Sequence, residues 1–176
     1  HRVLYTKAPT SYGNFVDAII ECFDKAGLKP ADADFLNHGT TLVINSLIQR
    51  KGAKAALVTT KGFRDLLEIG RQVRPRIYDL QADYPPPLIP RERCFEVDER
   101  VGPKGEVITE LDEREVRRVV DQVLVPVNGP AVEGVAICLL FSFLQPRHER
   151  QLAETFRARQ PGLFLSVSSE VQPEFR

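Results

Sequence analysis

Four consecutive residues, His38, Gly39, Thr40 and Thr41, have the types and the spacing to hold an anion or a polarised carbonyl oxygen. We call them the tetrad. They follow a short apolar segment, residues 34–37, which we interpret as a strand, and they precede a helical pattern. At the start of a helix, backbone N–H groups and hydroxyls lie at the positive end of the helix dipole. A threonine here is also typical of a simple helix N-cap, and that interpretation stays open.

A second candidate group is basic and lies at the start of a proline-rich stretch. Its members are Arg64, Arg71, Arg74 and Arg76. Planar guanidinium groups suit the oxygens of phosphate or carboxylate groups. For Arg64 and Arg76 we favour pairing with nearby carboxylates such as Asp65, or exposure to solvent. For Arg71, which opens a long loop, pairing and ligand binding are equally consistent with the sequence, and we take Arg71 and Arg74 as candidate binding residues.

The other titratable clusters are typical of structural or surface positions. Glu96, Asp98 and Glu99 lie in a polar strand pattern that we interpret as a solvated face. His148 and Glu149 stand near a helix start, where capping and surface roles are the usual ones. The histidines have no partners at metal-ligand spacing, so we expect no zinc site made by this chain alone.

Charge and composition exclude several classes of partner. The 24 basic and 24 acidic residues of the 176 give a formal net charge of zero, so no global field attracts nucleic acid or a membrane surface. The longest apolar run, residues 135–144, is too short to span a bilayer. The three cysteines are odd in number and far apart, which favours buried, reduced thiols in a cytoplasmic protein.

Alternating apolar periods predict the elements that position these residues. The predicted helices run from a cap at Ser11 to Gly27, from the tetrad to Lys51-Gly52, from Phe63 to Ile69, from Asp112 to Val123, and from Pro146 to Arg159. The predicted strands are residues 34–37, Ala53 to Thr59, Gly134 to Phe143, and Leu163 to Val167. Strands separated by helices predict a layered α/β fold with a largely parallel or mixed sheet and flanking helices.

Two stretches interrupt this alternation. Residues Gly70 to Glu92 contain five prolines and little periodicity, so we expect an extended or poorly ordered loop. Residues Arg93 to Thr109 predict a projecting β-hairpin whose turn is residues 102–105.

Taken together and in order, several motifs resemble one known family. They occupy residues 38–41, 57–65, 67–72, 74–80, 93–101, 136–144 and 146–149. The series closely resembles the N-terminal domain of the hydantoinase/oxoprolinase family, which includes N-methylhydantoinase A, 5-oxoprolinase and subunits of acetone-type carboxylases. The resemblance covers nearly the whole chain, and residues 1–176 are therefore expected to be one such domain.

The resemblance implies a fold related to actin-like ATPases and an enzyme that uses ATP and Mg²⁺ to activate a cyclic amide or ketone. It also implies a second enzyme subunit of the same family as partner. In that chemistry Thr40, Thr41 and the Gly39 amide would donate to the carbonyl or phosphate oxygen, and His38 would contact substrate or orient a water molecule. Asn45, one helical turn below Thr41, would brace the tetrad or contact ligand.

One departure from the family pattern leaves alternatives open. Family members begin with a glycine-rich phosphate-binding hairpin, which this sequence lacks, and they continue into a large second region. We therefore expect a domain that is inactive alone and belongs to a cyclic amide hydrolase. The alternatives are the nucleotide-using subunit of an acetone-type carboxylase and, from a different class, a non-catalytic α/β interaction module.

Overall fold

The computed structural model describes residues 3–11, 13–73, 77–79, 81, 85–125 and 131–175. The chain divides into two compact units, residues 1–45 and residues 46–176. Each unit is described by itself below.

The first unit is built mainly from helix and irregular backbone. Helix α1 (Phe15–Ala26) begins at Asn14, whose side chain accepts a hydrogen bond from the Val16 amide, and ends at Gly27 in the left-handed conformation, with φ of 65°. The expected end at Gly27 is confirmed, whereas the expected cap at Ser11 is wrong by three residues. A 3₁₀ turn follows at Pro30–Asp32, and helix α2 (Leu42–Ile48) starts directly after the tetrad.

The strand predicted before the tetrad is not formed. Residues 33–41 are irregular, and among the described residues of this unit there is no strand with which they could pair. A strand is stable only when its backbone groups bond to a neighbour and one face packs. Phe35 and Leu36 are instead 82% and 59% exposed.

The second unit is organised around a four-stranded sheet. Its strands are β1 (Ala55–Thr60), β2 (Cys94–Val97), β5 (Gly134–Cys138) and β6 (Phe164–Val167), and β3 (Arg100–Val101) and β4 (Val107–Thr109) form a separate antiparallel ribbon. The order in the sheet is β2-β1-β5-β6, and every neighbouring pair is parallel. The α/β class is thus confirmed, and the sheet is parallel rather than mixed.

Two helices cover one face of this sheet and form the core. They are α4 (Glu113–Leu124) and α5 (Arg147–Arg159). Their buried side chains are Val116, Val119, Val120 and Val123 from α4 and Leu152, Ala153 and Phe156 from α5, and these pack against Ala56, Val58, Val97, Val135 and Ile137. Four of these five strand residues are the β-branched Val58, Val97, Val135 and Ile137, and such side chains suit a sheet covered by helices. Short helices α3 (Leu66–Ile69) and α6 (Ser168–Val171) follow β1 and β6.

The predicted hairpin is shorter than expected. Its turn at residues 102–105 and the antiparallel ribbon are present, and Gly105 takes a positive φ of 81°. Residues 94–97, however, pair in parallel with β1 and belong to the main sheet. The alternation of apolar residues could not reveal this, because period two describes either kind of strand.

The most apolar strand also ends earlier than predicted. β5 stops at Cys138, and residues 140–144 form turns in which Phe141 has a positive φ of 56°. The amides of Leu139 and Leu140 bond to side chains instead of a neighbouring strand, and this ends the ladder. In the proline-rich stretch, residues 85–90 contain no helix, as expected, and the stretch ends in a 3₁₀ turn, Arg91–Arg93.

The buried face of α5 provides a direct test of this core. Phe156 is fully buried between α5 and the sheet, so Phe156→Ala removes a ring and leaves a cavity. We expect the free energy of unfolding to fall by about 3–5 kcal/mol. Phe164→Ala is the matched control because Phe164 is 72% exposed, and its effect should stay within about 1 kcal/mol. Urea unfolding of both variants makes the comparison, and equal losses would contradict the assigned core.

Candidate functional site

The tetrad forms a local hydrogen-bonded turn at the start of α2. Thr40 Oγ1 accepts a hydrogen bond from the Leu42 amide at 3.2 Å, and Thr41 Oγ1 accepts one from Asn45 Nδ2 at 3.3 Å. Both hydroxyl oxygens therefore act as acceptors, which leaves their hydrogens able to donate outward. The Leu42 contact is N-cap-like, so the capping interpretation of the sequence is compatible with the geometry and does not compete with a binding role.

The other predicted site residues fall in three places. His38 and Gly39 are exposed, and a side chain at Gly39 would meet nothing within 4 Å. Asn45 braces Thr41, both through its side chain and through its amide, which bonds to the Thr41 carbonyl at 2.8 Å. Arg71 is exposed after Gly70 in the second unit, whereas the tetrad lies in the first. Arg74 and Arg76 lie outside the described residues.

Of the two interpretations favoured for Arg64, pairing with a carboxylate is not observed within the described residues. Its guanidinium donates to the Arg91 carbonyl oxygen at 3.2 and 3.3 Å, and Arg91 takes Asp65 as its own partner. This exchange ties the loop after β1 to the 3₁₀ turn before β2. The arginine beside Asp65 keeps the pKa of that exposed carboxyl below its usual range.

The strongest polar cluster of the second unit was not anticipated from the sequence. Glu99, His148 and Glu149 are 2%, 1% and 0% exposed, so the expected solvated strand face and the expected surface cap are both wrong for these residues. Burying charged groups is costly unless each has partners. The structure supplies those partners at the carboxyl end of the parallel sheet, where β1, β5 and β6 all terminate.

The Glu149 carboxylate bonds to residues that directly follow two strands, β5 and β6. Its Oε1 accepts hydrogen bonds from the Leu139 amide at 2.9 Å and from Ser168 Oγ at 2.7 Å, and its Oε2 accepts one from the Ser169 amide at 2.9 Å. The residue also lies in the first turn of α5, where the helix dipole favours a negative charge. Three donors and the dipole together compensate the burial of this carboxylate.

Glu99 and His148 form the second half of the cluster. Glu99 Oε1 accepts a hydrogen bond from Thr60 Oγ1, and Glu99 Oε2 lies 2.8 Å from His148 Nδ1. Thr60 Oγ1 in turn accepts the Leu140 amide at 3.0 Å. The other ring nitrogen, His148 Nε2, has no hydrogen-bond partner in the described part of the protein and lies 3.5 Å from Glu110 Oε2.

A signal for one of these burials was present in the sequence. Val97, Glu99 and Val101 alternate with period two, and both valines are fully buried, so the alternation places Glu99 on the same side. The polar residues around Glu99 hid this pattern. For His148 and Glu149 the partners lie too far along the chain for any local period to reveal them.

A cavity of about 600 Å³ lies beside β2 and is lined by charged residues in balance. Lys61, Arg64 and Arg118 line it together with Glu96, Asp98 and Glu115. Lys61 pairs with Asp98 at 2.6 Å, and Arg118 pairs with Glu115. Glu96 Oε1 accepts the amides of Gly62 at 2.7 Å and Arg64 at 3.3 Å. With its charges matched internally, this cavity has no excess of either sign with which to select a charged ligand.

The described residues contain no metal-ligand group, membrane-spanning helix or disulfide. Within those segments, no group of three or more His, Cys, Asp or Glu residues comes together in a way that could hold a metal ion. In the same segments, no helix is both long and apolar enough to cross a membrane. None of the three cysteines, all of which are described, forms a disulfide, and burial raises the pKa of the Cys94 thiol.

Comparison with known proteins decides the family. The profile of the hydantoinase/oxoprolinase N-terminal region matches residues 1–159. This chain belongs to the hydantoinase/oxoprolinase family. The resemblance inferred from the sequence motifs is therefore confirmed.

Three relatives show where this family member stands. It is 34% identical over 166 residues to 5-oxoprolinase of Saccharomyces cerevisiae, covering 78% of this chain and 12% of that protein. It is 31% identical over 155 residues to the acetophenone carboxylase gamma subunit of Aromatoleum aromaticum, covering 81% and 21%. The crystal structure of the ATP-dependent caprolactamase from Pseudomonas jessenii matches with a TM-score of 0.77 and 29% identity, covering 99% and 26%. The chain thus spans 12% to 26% of the length of these relatives.

For this hydantoinase/oxoprolinase family member, the buried carboxylate Glu149 can be tested by an isosteric change. Glu149→Gln keeps the volume but replaces one acceptor oxygen with an NH₂ group that faces existing donors. We expect the free energy of unfolding to fall by about 1–3 kcal/mol, since buried donors lose their acceptor. Glu154→Gln, on the exposed side of α5, is the control and should change stability by less than about 0.5 kcal/mol. Equal effects in chemical denaturation would show that the Glu149 bonds do not contribute.

The Glu115–Arg118 pair predicts a pH dependence. Hydrogen bonding to Arg118 lowers the pKa of Glu115 below the ordinary 4.5, and the Asp98 amide adds to this shift. A lowered folded-state pKa contributes stability that is present above the unfolded-state value and is lost as pH falls through the folded-state value. The stability difference between the wild type and Glu115→Gln should therefore be largest near neutral pH and shrink as pH falls below about 4.5.

Glu113→Gln is the control for this pH series. Glu113 occupies the same helical turn but pairs with Arg117 in the open, so its effect on stability should stay below about 1 kcal/mol. Urea unfolding between neutral and acidic pH measures both variants. A Glu115→Gln difference that is independent of pH would contradict the assignment.

Proposed function

We propose that this chain is part of an ATP-dependent enzyme that opens a cyclic amide by hydrolysis, and that the amide carbonyl is activated by phosphorylation. The observation that carries the proposal is the match to the ATP-dependent caprolactamase, which has a TM-score of 0.77 and extends over 99% of this chain. The relation to 5-oxoprolinase supports the same chemistry, because 5-oxoproline and caprolactam are both cyclic amides. The relation to actin-like ATPases stays a prediction.

The tetrad is the part of this chain to which we assign contact with the reacting group. The Thr40 and Thr41 oxygens already accept hydrogen bonds from Leu42 and Asn45, so their hydroxyl hydrogens are available to donate to other acceptors. Two hydroxyl donors and the exposed Gly39 amide suit an oxygen that gains negative charge as the amide reacts. His38, exposed beside them, orients the attacking water in this proposal.

ATP would supply a phosphoryl group to the amide oxygen, which would make the carbonyl carbon more electrophilic toward water. After water adds, the C–N bond would break with the ring nitrogen leaving as a protonated amine, and hydrolysis of the resulting acyl phosphate would release inorganic phosphate. Arg71, and Arg74 outside the described residues, are the proposed contacts of this chain to phosphate or substrate oxygens. Since the described residues bring no carboxylate set together, we assign no residue of this chain to Mg²⁺. A second subunit of the same family is the proposed protein partner, in keeping with the subunit named among the relatives.

The acetophenone carboxylase gamma subunit favours a second candidate. At 31% identity over 81% of this chain, it supports a nucleotide-using subunit of a ketone carboxylase. The two candidates differ in substrate, so ATP hydrolysis by the complete protein, with its partner subunit where one exists, separates them. Stimulation by hydantoins, 5-oxoproline or other cyclic amides supports the hydrolase. Stimulation by ketones with bicarbonate supports the carboxylase, and no stimulation supports a non-catalytic module.

Thr→Val changes test the tetrad in the complete enzyme. Valine keeps the β-branched shape of Thr40 or Thr41 but removes the hydroxyl. If the hydroxyl donates to a developing oxyanion, we expect a loss of about a hundredfold to a thousandfold in substrate-dependent ATPase rate. Loss of a helix cap alone costs about 1 kcal/mol of stability and leaves turnover unchanged.

Thr155→Val is the control for the loss of a threonine hydroxyl. Among the described residues, the Thr155 hydroxyl bonds to the Gln151 carbonyl oxygen within α5, at 2.9 Å, and to no other group, so turnover should be normal. Melting temperature and ATPase rate are measured for all three variants. If both Thr→Val variants, at Thr40 and at Thr41, have normal turnover and reduced stability, the tetrad is only a helix cap.

A further inference from the structure

Arg100 differs from the paired arginines of the second unit. It is the first residue of β3 and half-buried, and its guanidinium carbon lies 5.3 Å from the centroid of the Phe63 ring. Within the described residues, no carboxylate, carbonyl or hydroxyl oxygen accepts a hydrogen bond from this guanidinium. Its charge is thus held in place without an acceptor for its N–H groups.

Paired arginines elsewhere in this unit show the usual alternative. Arg91, Arg118, Arg147 and Arg159 are paired with Asp65, Glu115, Glu110 and Asp121. The carboxylate next to Arg100 in sequence, Glu99, is directed the other way and is occupied by Thr60 and His148. Within the described residues, Arg100 therefore forms no ion pair with a carboxylate, and the Glu96 carboxylate near Phe63 is bonded to the Gly62 and Arg64 amides.

The aromatic contact prepares Arg100 for a ligand. A cation–π contact attracts the charge to the ring but provides no hydrogen-bond acceptor for the guanidinium. The five N–H donors lie in a fixed plane that matches two oxygens of a carboxylate or phosphate group. Because the stem is half-buried and the ring limits its motion, little conformational freedom remains to be lost on binding.

The position of Phe63 in the fold supports a ligand role. Phe63 lies in the loop that follows β1, at the carboxyl end of the sheet. The loop lies beside β2, because the Lys61 amide bonds to the Val97 carbonyl oxygen at 3.0 Å. Open parallel α/β sheets bind their ligands outside the carboxyl ends of the strands. Glu96 accepts the Gly62 and Arg64 amides of this loop, so among these groups Arg100 is the donor that has no acceptor within the described residues.

We propose that Arg100, held over Phe63, is a binding residue for the oxyanion of a small-molecule ligand, a carboxylate or phosphate group. This proposal uses no residue of the tetrad and none of the arginines of the proline-rich stretch. It does not depend on the proposed ATP-dependent activity, because it concerns anion binding by this chain itself.

The test is an NMR titration of the 176-residue protein. The arginine Nε–Hε signals and the amides of residues 61–65 are followed as inorganic phosphate is added, with chloride adjusted to constant ionic strength. A second arm uses acetate. We expect the Arg100 signal to saturate with a dissociation constant at least tenfold below that of Arg114, an exposed arginine of α4. Saturation by phosphate alone assigns a phosphate group, and saturation by acetate assigns a carboxylate.

Variants separate a built site from an ordinary surface charge. Arg100→Lys keeps the charge but loses the planar fork, and we expect at least a tenfold loss of affinity at the residue 61–65 amides. Phe63→Leu removes the aromatic face and should weaken binding severalfold, whereas Arg114→Lys should have no effect there. The proposal is overturned if Arg100 and Arg114 respond alike to both anions, or if Arg100→Lys binds as the wild type does. If Arg100→Lys does not fold, the proposal is still tested by comparing the Arg100 and Arg114 signals in the wild type and by the Phe63→Leu variant.

Discussion

The second unit depends on one buried carboxylate, that of Glu149. A parallel sheet leaves the amides that follow its strands without strand partners at the carboxyl edge, and here the Leu139 and Ser169 amides both bond to this side chain. The same carboxylate stands in the first turn of α5, so one residue fixes two strand ends to the helix that packs beneath them. Without it, buried amides would lack acceptors, which costs more than the net gain of an ordinary hydrogen bond.

Glu99 and His148 extend this arrangement to β1 and to the hairpin. Thr60, at the end of β1, donates to Glu99 and accepts from the Leu140 amide, so it joins two neighbouring strand ends through one hydroxyl. The loop after β5 is therefore held at two successive amides before Phe141 takes its positive φ. A bulky residue in that conformation is unfavourable by itself, and the bonds on the preceding residues are what hold the backbone there.

The sequence predicted those features that depend on neighbours along the chain. Helix α1 followed from its 3.6-residue period, α4 and α5 followed from the start signals Asp112 and Pro146, and the Thr40–Leu42 turn followed from adjacent residue types. Features that depend on distant partners could not be predicted. The strand predicted at residues 34–37 does not form, because the described residues of its unit contain no strand to pair with it, and the burial of His148 rests on a partner 49 positions away. The same distinction applies to the candidate site. The turn of the tetrad could be predicted because neighbouring residues determine it, whereas the ligand could not, because its contacts are not set by neighbours along the chain.

The contacts between α5 and the base of the hairpin determine where this fold can accept insertions. His148 contacts Glu99 just before β3, and its other ring nitrogen lies near Glu110 just after β4. Arg147 adds hydrogen bonds to Glu110 at 2.6 and 2.7 Å. Both ends of the ribbon are thus fastened at its base, while Pro103 and Lys104 at its tip are exposed. Residues added at that tip would not change the packing of the core. The tip is therefore a suitable point for insertions, affinity tags or a reporter domain.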